Sequence, residues 1–266
     1  MSEPNSEYMP PLQVLHQLPP MPGHPCAYLP GQVARDRGFS VGRMNPDSWE
    51  MMLEAGWRRA GMMIYEPACP YCRQCVPIRL PVDRFKPTRT QRRIARRNSD
   101  LEVRITPVQT TDERAELYRR YITTRHNGMM TGSRREFEQF LGMTPVNTCE
   151  IEYRQGSRLV AVATTDVTPG AWSAVYCYFD PEEPRRSLGS FNIMKTVELC
   201  RDRAAAGDRA KVYLGYWVPG STTMAYKSRF RAAEALDTDG RWREITKEEA
   251  NADFFPRQSS SSSPSS

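Results

Sequence analysis

Residues 149–180 read CEIEYRQGSRLVAVATTDVTPGAWSAVYCYFD. Polar and apolar residues alternate from Cys149 to Tyr153, and two further apolar runs occupy residues 159–167 and 171–179. The turn-forming stretches QGS and PG separate the three runs. Alternation interrupted by short turns is typical of β-hairpins, so this stretch predicts three sequential antiparallel strands.

The residues after this stretch predict an α+β fold. A helical pattern runs from about Leu188 to Ala206, an apolar strand from Val212 to Val218, and a second helical pattern from about Thr222 to Leu236. The order is therefore β-β-β-α-β-α. It is similar to the core of the GNAT acyltransferase fold, in which the fourth and fifth strands splay apart and hold the acyl donor in the gap.

The turn before the first of these helices indicates which class of acyl donor the protein uses. In GNAT-like proteins a turn of the type Arg/Gln-x-x-Gly-x-Gly/Ala holds the pyrophosphate of acyl-CoA at the N-terminus of this helix. Here residues 186–191 read RSLGSF, and Phe191 stands where the backbone must approach phosphate closely. The sequence therefore disfavours an acyl-CoA donor.

The N-terminal part predicts a smaller domain that contains a cysteine cluster. We expect a helix from Asp47, as its cap, to about Ala55, and a strand near Met62–Tyr65. Apolar residues alternate with polar residues and prolines from Val76 to Val82. Because proline lacks a backbone donor, the prolines predict an edge position for this strand.

Three capping-box patterns predict further helices. Thr88, Thr110 and Ser133 are each followed three residues later by Gln or Glu. A short strand is expected at residues 101–105, after the first of them. The predicted parts of the chain are a Pro-rich arm, an N-terminal transferase domain with the cysteines, a GNAT-like catalytic domain and a disordered Ser-rich tail, at residues 1–32, 33–108, 109–244 and 257–266.

Composition restricts the class of protein. The chain has 266 residues, a net charge of +6 and no run of 18 apolar residues. No segment is therefore expected to span a bilayer, and the N-terminus lacks the charged and apolar regions of a signal peptide. We expect a soluble cytoplasmic protein. In that reducing compartment its seven cysteines indicate metal ligands or reactive thiols rather than disulfides.

The helix that begins near Thr88 is expected to present a row of arginines on one face. They are Arg89, Arg92, Arg93, Arg96 and Arg97. No acidic residue inside the helix relieves their mutual repulsion, and guanidinium groups bind phosphates bidentately. The pattern predicts a contact with the RNA backbone. The alternative is a solvated face that pairs with acidic residues elsewhere in the fold.

Cys69, Cys72 and Cys75 repeat at the interval that ferredoxins use for three thiolates of one iron–sulfur cluster, and Cys26 could complete the set. A tetrahedral zinc site with four thiolates fits these residues equally well. A third interpretation is a tight turn with reduced cysteines and no metal, because the two-plus-two spacing of a zinc knuckle is absent.

A third group of residues combines aromatic rings with cations. Residues 213–217 read YLGYW, and residues 224–231 read MAYKSRFR. Rings near a strand end stack on unpaired bases, and cations beyond them hold the phosphates between such bases. The alternative is that the aromatic residues only pack a core.

At these segments the chain resembles the arginyltransferases of the N-degron pathway and the bacterial leucyltransferases, over about residues 24–243. The matching stretches are residues 26–30, 69–82, 90–93, 173–180 with 187–189, and 213–231. The leucyl-transferring bacterial branch is the more similar one, in its three cysteines and in the LGYW of residues 214–217. Such enzymes take leucine or arginine from charged tRNA and attach it to a protein that begins with Asp or Glu, which marks that protein for degradation.

The resemblance also bears on the cysteines. Members of the family have been linked to iron–sulfur or zinc binding through N-terminal cysteines, which here implies Cys26, Cys69, Cys72 and Cys75 without deciding the metal. The family's usual Cys and Lys after the GYW strand are Ser221 and Thr223 here, and a usual Pro is Ala232. These departures argue against a thiol mechanism at position 221.

The expected reaction is aminolysis of the aminoacyl ester, which needs no ATP and no cofactor but does need a neutral attacking amine. We expect Asp180 to take or orient the amine proton, although a helix-capping Asp is an equal alternative at that position. Tyr226 is expected to hydrogen-bond or protonate the leaving ribose oxygen. Tyr216 and Trp217 are expected to shape the pocket for the terminal adenosine and leucine. The candidates for binding the acceptor's acidic side chain are Lys227, Arg229 and Arg231.

Leucine is favoured over arginine as the transferred residue. Arginine needs a carboxylate partner, and the donor-side segments at residues 171–179 and 212–217 contain no Asp or Glu. Asp180 and Glu234 still leave arginine open. An acyl-CoA-dependent N-acetyltransferase and a non-catalytic RNA-binding protein are the two functions of other classes that the sequence also allows.

Overall fold

A mixed sheet of eight strands organises residues 76–244, within the part of the chain that the structure describes. The computed structural model describes residues 10–125, 130–204, 209–221 and 223–251. The predicted Ser-rich tail and the first nine residues of the predicted arm lie outside these ranges.

The strands are numbered along the chain. They are β1 (His24–Pro25), β2 (Val33–Ala34), β3 (Asp36–Ser40), β4 (Arg58–Ala60), β5 (Met63–Pro67), β6 (Val76–Pro81), β7 (Glu102–Pro107), β8 (Thr148–Gln155), β9 (Arg158–Val167), β10 (Ala171–Phe179), β11 (Lys211–Trp217), β12 (Glu234–Leu236) and β13 (Trp242–Glu244). The large sheet has the order β13-β12-β6-β11-β10-β9-β8-β7, a small sheet has the order β3-β5-β4, and β1 pairs with β2.

The helices are numbered in the same way. They are α1 (Leu12–Leu15), α2 (Pro46–Glu54), α3 (Arg89–Arg97), α4 (Asp112–Arg125), α5 (Arg134–Phe137) and α6 (Leu188–Arg203). A π-helical turn, Glu138–Gly142, continues α5, and a 3₁₀ helix occupies Ala225–Arg229.

One pair of neighbouring strands in the large sheet is parallel, namely β10 and β11, while the other described pairs are antiparallel. A parallel connection needs a crossover, and α6 provides it. The helices α3 and α6 cover one face of the sheet, where Phe191 and Val197 join the main core. The helices α4 and α5 contribute Leu117 and Phe137 to a second cluster with Val162 and Tyr178.

The small sheet is joined to the large one by a buried ion pair. Arg59, in β4, donates from Nη2 to Asp166 Oδ1, in β9, over 2.6 Å, and neither side chain is exposed. The Arg59 Nε contacts both carboxylate oxygens of Asp166, at 3.0 and 2.8 Å. Such a bidentate pair satisfies both charges, and its loss would leave one of them buried alone.

The α+β class and the order β-β-β-α-β are confirmed by β8, β9, β10, α6 and β11. The cap at Thr88 is also confirmed, because Gln91 N donates to its hydroxyl and Thr88 N donates to the Gln91 side chain. Strands from both sides of residue 108 lie in the large sheet. The division into two domains at that residue stays a prediction.

The predicted edge position of the strand at residues 76–82 is wrong. It is β6, and it lies inside the sheet between β11 and β12. Within β6, the short β12 pairs with Ile78 and Arg79, which have backbone donors, and Pro77 lies beside the irregular part of the pairing with β11. The prolines are therefore tolerated because they avoid the positions where a donor is needed.

The predicted helix at residues 222–236 is also wrong. Only Ala225–Arg229 form a short 3₁₀ helix, and Glu234–Leu236 form a strand. Ala232 has a φ of 61°, which ends any helix, and Ala235 pairs with Ile78 of β6. A contact with a residue more than 150 positions away has overridden the local helical pattern.

Two helix starts are shifted. Asn45, not Asp47, caps α2, and its side chain accepts from Ser48 N over 2.8 Å. Thr111, not Thr110, accepts from Arg114 N at the start of α4. None of the described helices is long and apolar enough to span a membrane.

Candidate active site

The strands β10 and β11 part after three residue pairs. Ala171–Ser173 pair with Lys211–Tyr213, and the remaining pairs of both strands, within the described chain, are with β9 and β6. β10 has a bulge between Ala174 and Tyr176. A gap therefore opens between residues 174–179 and residues 214–217, toward the C-terminal ends of the two strands.

The parted stretch of β11 is held by two buried cations. Lys227 donates from Nζ to the carbonyl oxygens of Leu214 and Tyr216, at 2.7 and 3.0 Å. Arg58 Nη2 donates to the carbonyl oxygen of Gly215 over 3.4 Å. Burial, with a contribution from Arg58, lowers the pKa of Lys227 to about 7. Three consecutive carbonyl groups in the irregular stretch of β11 thus accept from side chains.

Tyr226 lies at the other border of the gap, beside the start of α6. A β-carbon at Gly189 would lie 3.6 Å from the Tyr226 Oη and 4.0 Å from Cε1 of Phe179, the last residue of β10. Burial, together with nearby Cys177 and Tyr121, raises the pKa of Tyr226. Its hydroxyl therefore stays protonated at neutral pH and can donate a hydrogen bond, whereas the raised pKa makes it a weaker acid than an exposed tyrosine.

Asp180 is buried directly after β10, with 2% of its surface exposed. Its Oδ1 accepts from Arg120 Nη2 at 2.6 Å, and its Oδ2 accepts from Arg158 Nη1 at 3.1 Å. Oδ1 also accepts from Glu182 N, which closes a turn rather than capping a long helix. These contacts favour a role in fixing the two arginines. The role of Asp180 as the base stays a prediction.

Tyr216 and Trp217 are enclosed in the protein. Tyr216 is 3% exposed and donates its hydroxyl to the carbonyl of Gly56, and Trp217 is fully buried in the main core. A base or a leucine side chain would have to displace neighbouring residues to reach either ring. Their burial fits the alternative interpretation, in which these rings pack a core.

The three cations proposed for the acceptor differ in position. Lys227 is enclosed, and its ammonium group is already directed at two carbonyl groups. Arg229 and Arg231 are exposed on either side of buried Phe230. The structure therefore does not bring the three together at one point.

The arginine helix has the predicted geometry. Gln91 and Ile94 of this helix are buried, and so is Asn98, its C-cap. Its five arginines are exposed. They are Arg89, Arg92, Arg93, Arg96 and Arg97. Among the described residues, no carboxylate forms an ion pair with any of the five. The alternative of acidic partners elsewhere in the fold thus finds no support in this part of the chain.

The same helix borders the start of α6. Arg97 Nη1 donates to the carbonyl of Arg185, and Asn98 Nδ2 donates to the carbonyl of Arg186 over 2.8 Å. Both acceptors lie in the short turn that precedes α6. The exposed arginines and the gap therefore lie on either side of one turn.

The four predicted metal ligands lie near one another in the N-terminal part. Burial, and then the charges of Cys26, Cys69 and Cys72, raise the pKa of Cys75. Backbone N–H groups of Leu29 and Arg35 donate to the sulfurs of Cys26 and Cys69, each over 3.4 Å. Four thiols suit zinc or an iron–sulfur cluster chemically. However, the described residues contain no group of three or more ligands arranged to hold a metal, so the site stays a prediction.

Three arginines near the gap were not identified from the sequence. Arg120 and Arg158 contact Asp180 from α4 and β9, which lie 60 and 22 positions away along the chain. Arg58 has one local sign of burial, since Arg58 and Arg59 follow Trp57 within a stretch, residues 55–61, whose other residues are Ala and Gly. Contacts at such separations leave no periodic pattern that a sequence reveals.

Comparisons with known proteins identify the family. The family model described as "Arginine-tRNA-protein transferase, N terminus" matches residues 24–93, and the one described as "Arginine-tRNA-protein transferase, C terminus" matches residues 113–237. The chain is 43% identical to an aspartate/glutamate leucyltransferase of Stenotrophomonas maltophilia (strain R551-3), over 85% of this chain and 91% of that one.

A second aspartate/glutamate leucyltransferase, from Halorhodospira halophila, is 41% identical over 83% of this chain and 93% of its own. Among solved structures, the C-terminal domain (DUF2156) of a putative lysylphosphatidylglycerol synthetase from Agrobacterium fabrum has a TM-score of 0.42 at 13% identity, covering 72% of this chain and 58% of that one. The two family models and the sequence identities show that the chain belongs to the arginine-tRNA-protein transferase family.

Proposed function

We propose that this protein transfers leucine from leucyl-tRNA to the N-terminal Asp or Glu of acceptor proteins and so marks them for degradation. Family membership and the names of relatives at 41–43% identity support leucine as the donor residue and acidic N-termini as acceptors. The structural observation that carries the proposal is a row of five exposed arginines, without carboxylate partners among the described residues, on a helix whose Arg97 contacts the turn that borders the gap.

The arginine helix supplies the surface for the tRNA backbone. Its five guanidinium groups repel one another, and phosphates would relieve that repulsion while releasing counterions. Because Arg97 contacts the turn before α6, a strand of RNA that follows the helix is directed toward the gap. The aminoacylated end of the tRNA would then enter between β10 and β11.

The gap provides the groups for ester aminolysis. The acceptor's α-amine attacks the ester carbonyl carbon, an amide bond forms, and the bond from that carbon to the ribose oxygen breaks. The ribose oxygen takes up a proton, for which Tyr226 is the proposed donor. The attacking amine gives up a proton, and Asp180 is the predicted acceptor if one of its arginine contacts is released.

A GNAT-like core supports this assignment. Three antiparallel strands, a crossover helix and a parallel strand that parts from its neighbour have the GNAT order, and the gap stands where the acyl donor is expected. Fold alone leaves the donor undecided. Buried Phe191 in the first turn of α6 argues against the pyrophosphate of acyl-CoA at that position.

Transfer itself needs no cofactor, because the ester is already activated. We propose the cytoplasm as the site of action, where charged tRNA is available. Any zinc or iron–sulfur cluster would bind through Cys26, Cys69, Cys72 and Cys75, three of which pack with Tyr216 and Val218 at the end of β11.

The proposed function is tested with leucyl-tRNA and arginyl-tRNA, labelled separately, and with peptides that begin with Asp, Glu or Ala. We expect leucine to reach the Asp and Glu peptides and not the Ala peptide. Preference for arginyl-tRNA would replace leucine by arginine and leave the transferase assignment standing. Binding of tRNA without transfer would favour a non-catalytic RNA-binding protein, and acetylation from acetyl-CoA would favour the N-acetyltransferase.

A further inference from the structure

An exposed arginine lies at the rim of the gap. Arg125 is the last residue of α4, and its Cζ lies 5.6 Å from the centre of the Phe179 ring. Tyr121, one helical turn earlier, packs on the same ring at a centroid distance of 4.8 Å. The face of α4 that carries Tyr121 and Arg125 therefore packs against the end of β10.

The Phe179 ring connects this cation to the proposed chemistry. Its Cε1 and the hydroxyl of Tyr226 both approach the β-position of Gly189, at 4.0 and 3.6 Å. Arg125 and the proton donor of the reaction thus border the same end of the gap, with one aromatic ring between them.

Arg125 is also available to a ligand. Within the described residues, no carboxylate pairs with it, whereas Arg120 and Arg158 are both engaged by Asp180. A guanidinium group that stacks on a ring is held in orientation, and its N–H groups stay free to bind a carboxylate bidentately. The ammonium of Lys227, by contrast, is enclosed between two carbonyl groups.

We propose that Arg125 binds the side-chain carboxylate of the acceptor's N-terminal Asp or Glu and so determines acceptor specificity. The inference rests on the proposed function. It places the acceptor along the edge of the Phe179 ring, with its α-amine toward the ester and Tyr226 and its side chain toward Arg125 at the end of α4. An arginine side chain spans the difference of one methylene between Asp and Glu, which explains how one cation serves both.

The test measures leucyl transfer to Asp-ended and Glu-ended peptides by Arg125→Gln and Arg125→Lys. Arg135→Gln is the exposed control, and Arg229→Gln and Arg231→Gln test the competing candidates. For Arg125→Gln we expect KM for both peptides to rise roughly 10- to 100-fold, because a charge-assisted pair is lost, with kcat changed much less. Arg125→Lys should restore part of the affinity. The Kd for tRNA should stay unchanged in the two Arg125 variants and in Arg135→Gln.

A charge reversal gives the sharper result. Arg125→Glu should lose transfer to the Asp peptide and gain measurable transfer to a peptide that begins with Lys, to which we expect no transfer by wild-type protein. If wild-type protein transfers leucine but the acceptor KM is unchanged in Arg125→Gln, the inference is overturned and the proposed function stands. A larger KM effect of Arg229→Gln or Arg231→Gln would do the same. Absence of transfer by wild-type protein would overturn the proposed function, and the inference with it.

Discussion

Lys227 Nζ lies 2.7 Å from the carbonyl oxygen of Leu214, inside the protein and at the point where β11 has parted from β10. The same nitrogen donates to Tyr216 O. A neutral amine has two N–H donors, which suffice for these two acceptors. The contact therefore satisfies two carbonyl groups of β11 at a place where burial disfavours the charged form of the amine.

The first prediction concerns the pH dependence of stability. Burial lowers the pKa of Lys227 to about 7 from its ordinary value of 10.5. Between these values the unfolded chain binds one more proton than the folded chain, so the free energy of unfolding gains up to about 1.4 kcal/mol per pH unit as pH rises. Urea unfolding at several pH values should show that wild type gains stability relative to Lys227→Met from pH 7 to 9. Lys86→Met, at an exposed site, is the control, and parallel profiles for wild type and Lys227→Met would contradict the prediction.

The second prediction concerns the ion pair that joins the two sheets. Arg59→Met leaves the buried carboxylate of Asp166 without its guanidinium and should lower the free energy of unfolding by about 3–5 kcal/mol. Arg104→Met is the matched control, because its pair with Glu102 is half exposed and its loss should lower the free energy of unfolding far less. Urea unfolding measures the loss of stability in each variant. If the free energy of unfolding falls equally in the two, burial of the ion pair does not determine its contribution to stability.

Local signals explain what could be predicted from the sequence. The cap of α3 follows from Thr88 and Gln91, which meet within one turn, and β8–β10 follow from alternation and short turns. The errors arise where contacts with residues distant in the sequence determine the secondary structure. Residues 225–236 show a helical pattern, yet Ala235 pairs with Ile78 and the chain there becomes a strand.

The candidate site likewise has some features that the sequence predicts and others that it does not. Exposure of the five arginines was predictable because helix periodicity and composition agree. The contacts of Asp180 and Lys227 were not, because burial and partners depend on α4, β9 and β11 folding around them. Alternation identified Tyr216 as a strand residue and did not reveal that the small sheet covers it.

The third prediction tests the arginine helix. Arg92, Arg93 and Arg96 are exposed, and their joint reversal to Glu should leave the fold intact, since exposed charges contribute little to stability. The Kd for tRNA should rise at least roughly 100-fold at moderate salt. The slope of log Kd against log salt should decrease by the amount expected for the loss of roughly three phosphate contacts. Filter binding across a salt series measures both.

The control for that variant has the same total charge. Reversing Arg43, Arg135 and Arg241, which are exposed elsewhere, also takes the net charge from +6 to zero. If both triple variants lose the same affinity, net charge rather than the arginine helix attracts tRNA.

The fourth prediction concerns the cysteine cluster. Protein purified without oxygen should contain iron or zinc, bound through Cys26, Cys69, Cys72 and Cys75, and Cys72→Ser should lose it. Cys149→Ser, in β8, should keep it. Elemental analysis that finds neither metal in fresh wild-type protein would leave the third interpretation, reduced cysteines in a tight turn.

The last prediction concerns the proton that the leaving ribose oxygen receives. Tyr226→Phe removes one hydroxyl and keeps the ring that packs near Phe230. Because burial raises the pKa of Tyr226, its hydroxyl holds a proton at neutral pH and lies where the ester should enter. The single-turnover rate with leucyl-tRNA should fall about 100-fold or more, while the Kd for tRNA and the KM for the acceptor peptide stay close to wild type. Tyr71→Phe, at a site that is 85% exposed, should leave the rate unchanged. A Tyr226→Phe rate equal to wild type would show that another group or water supplies the proton.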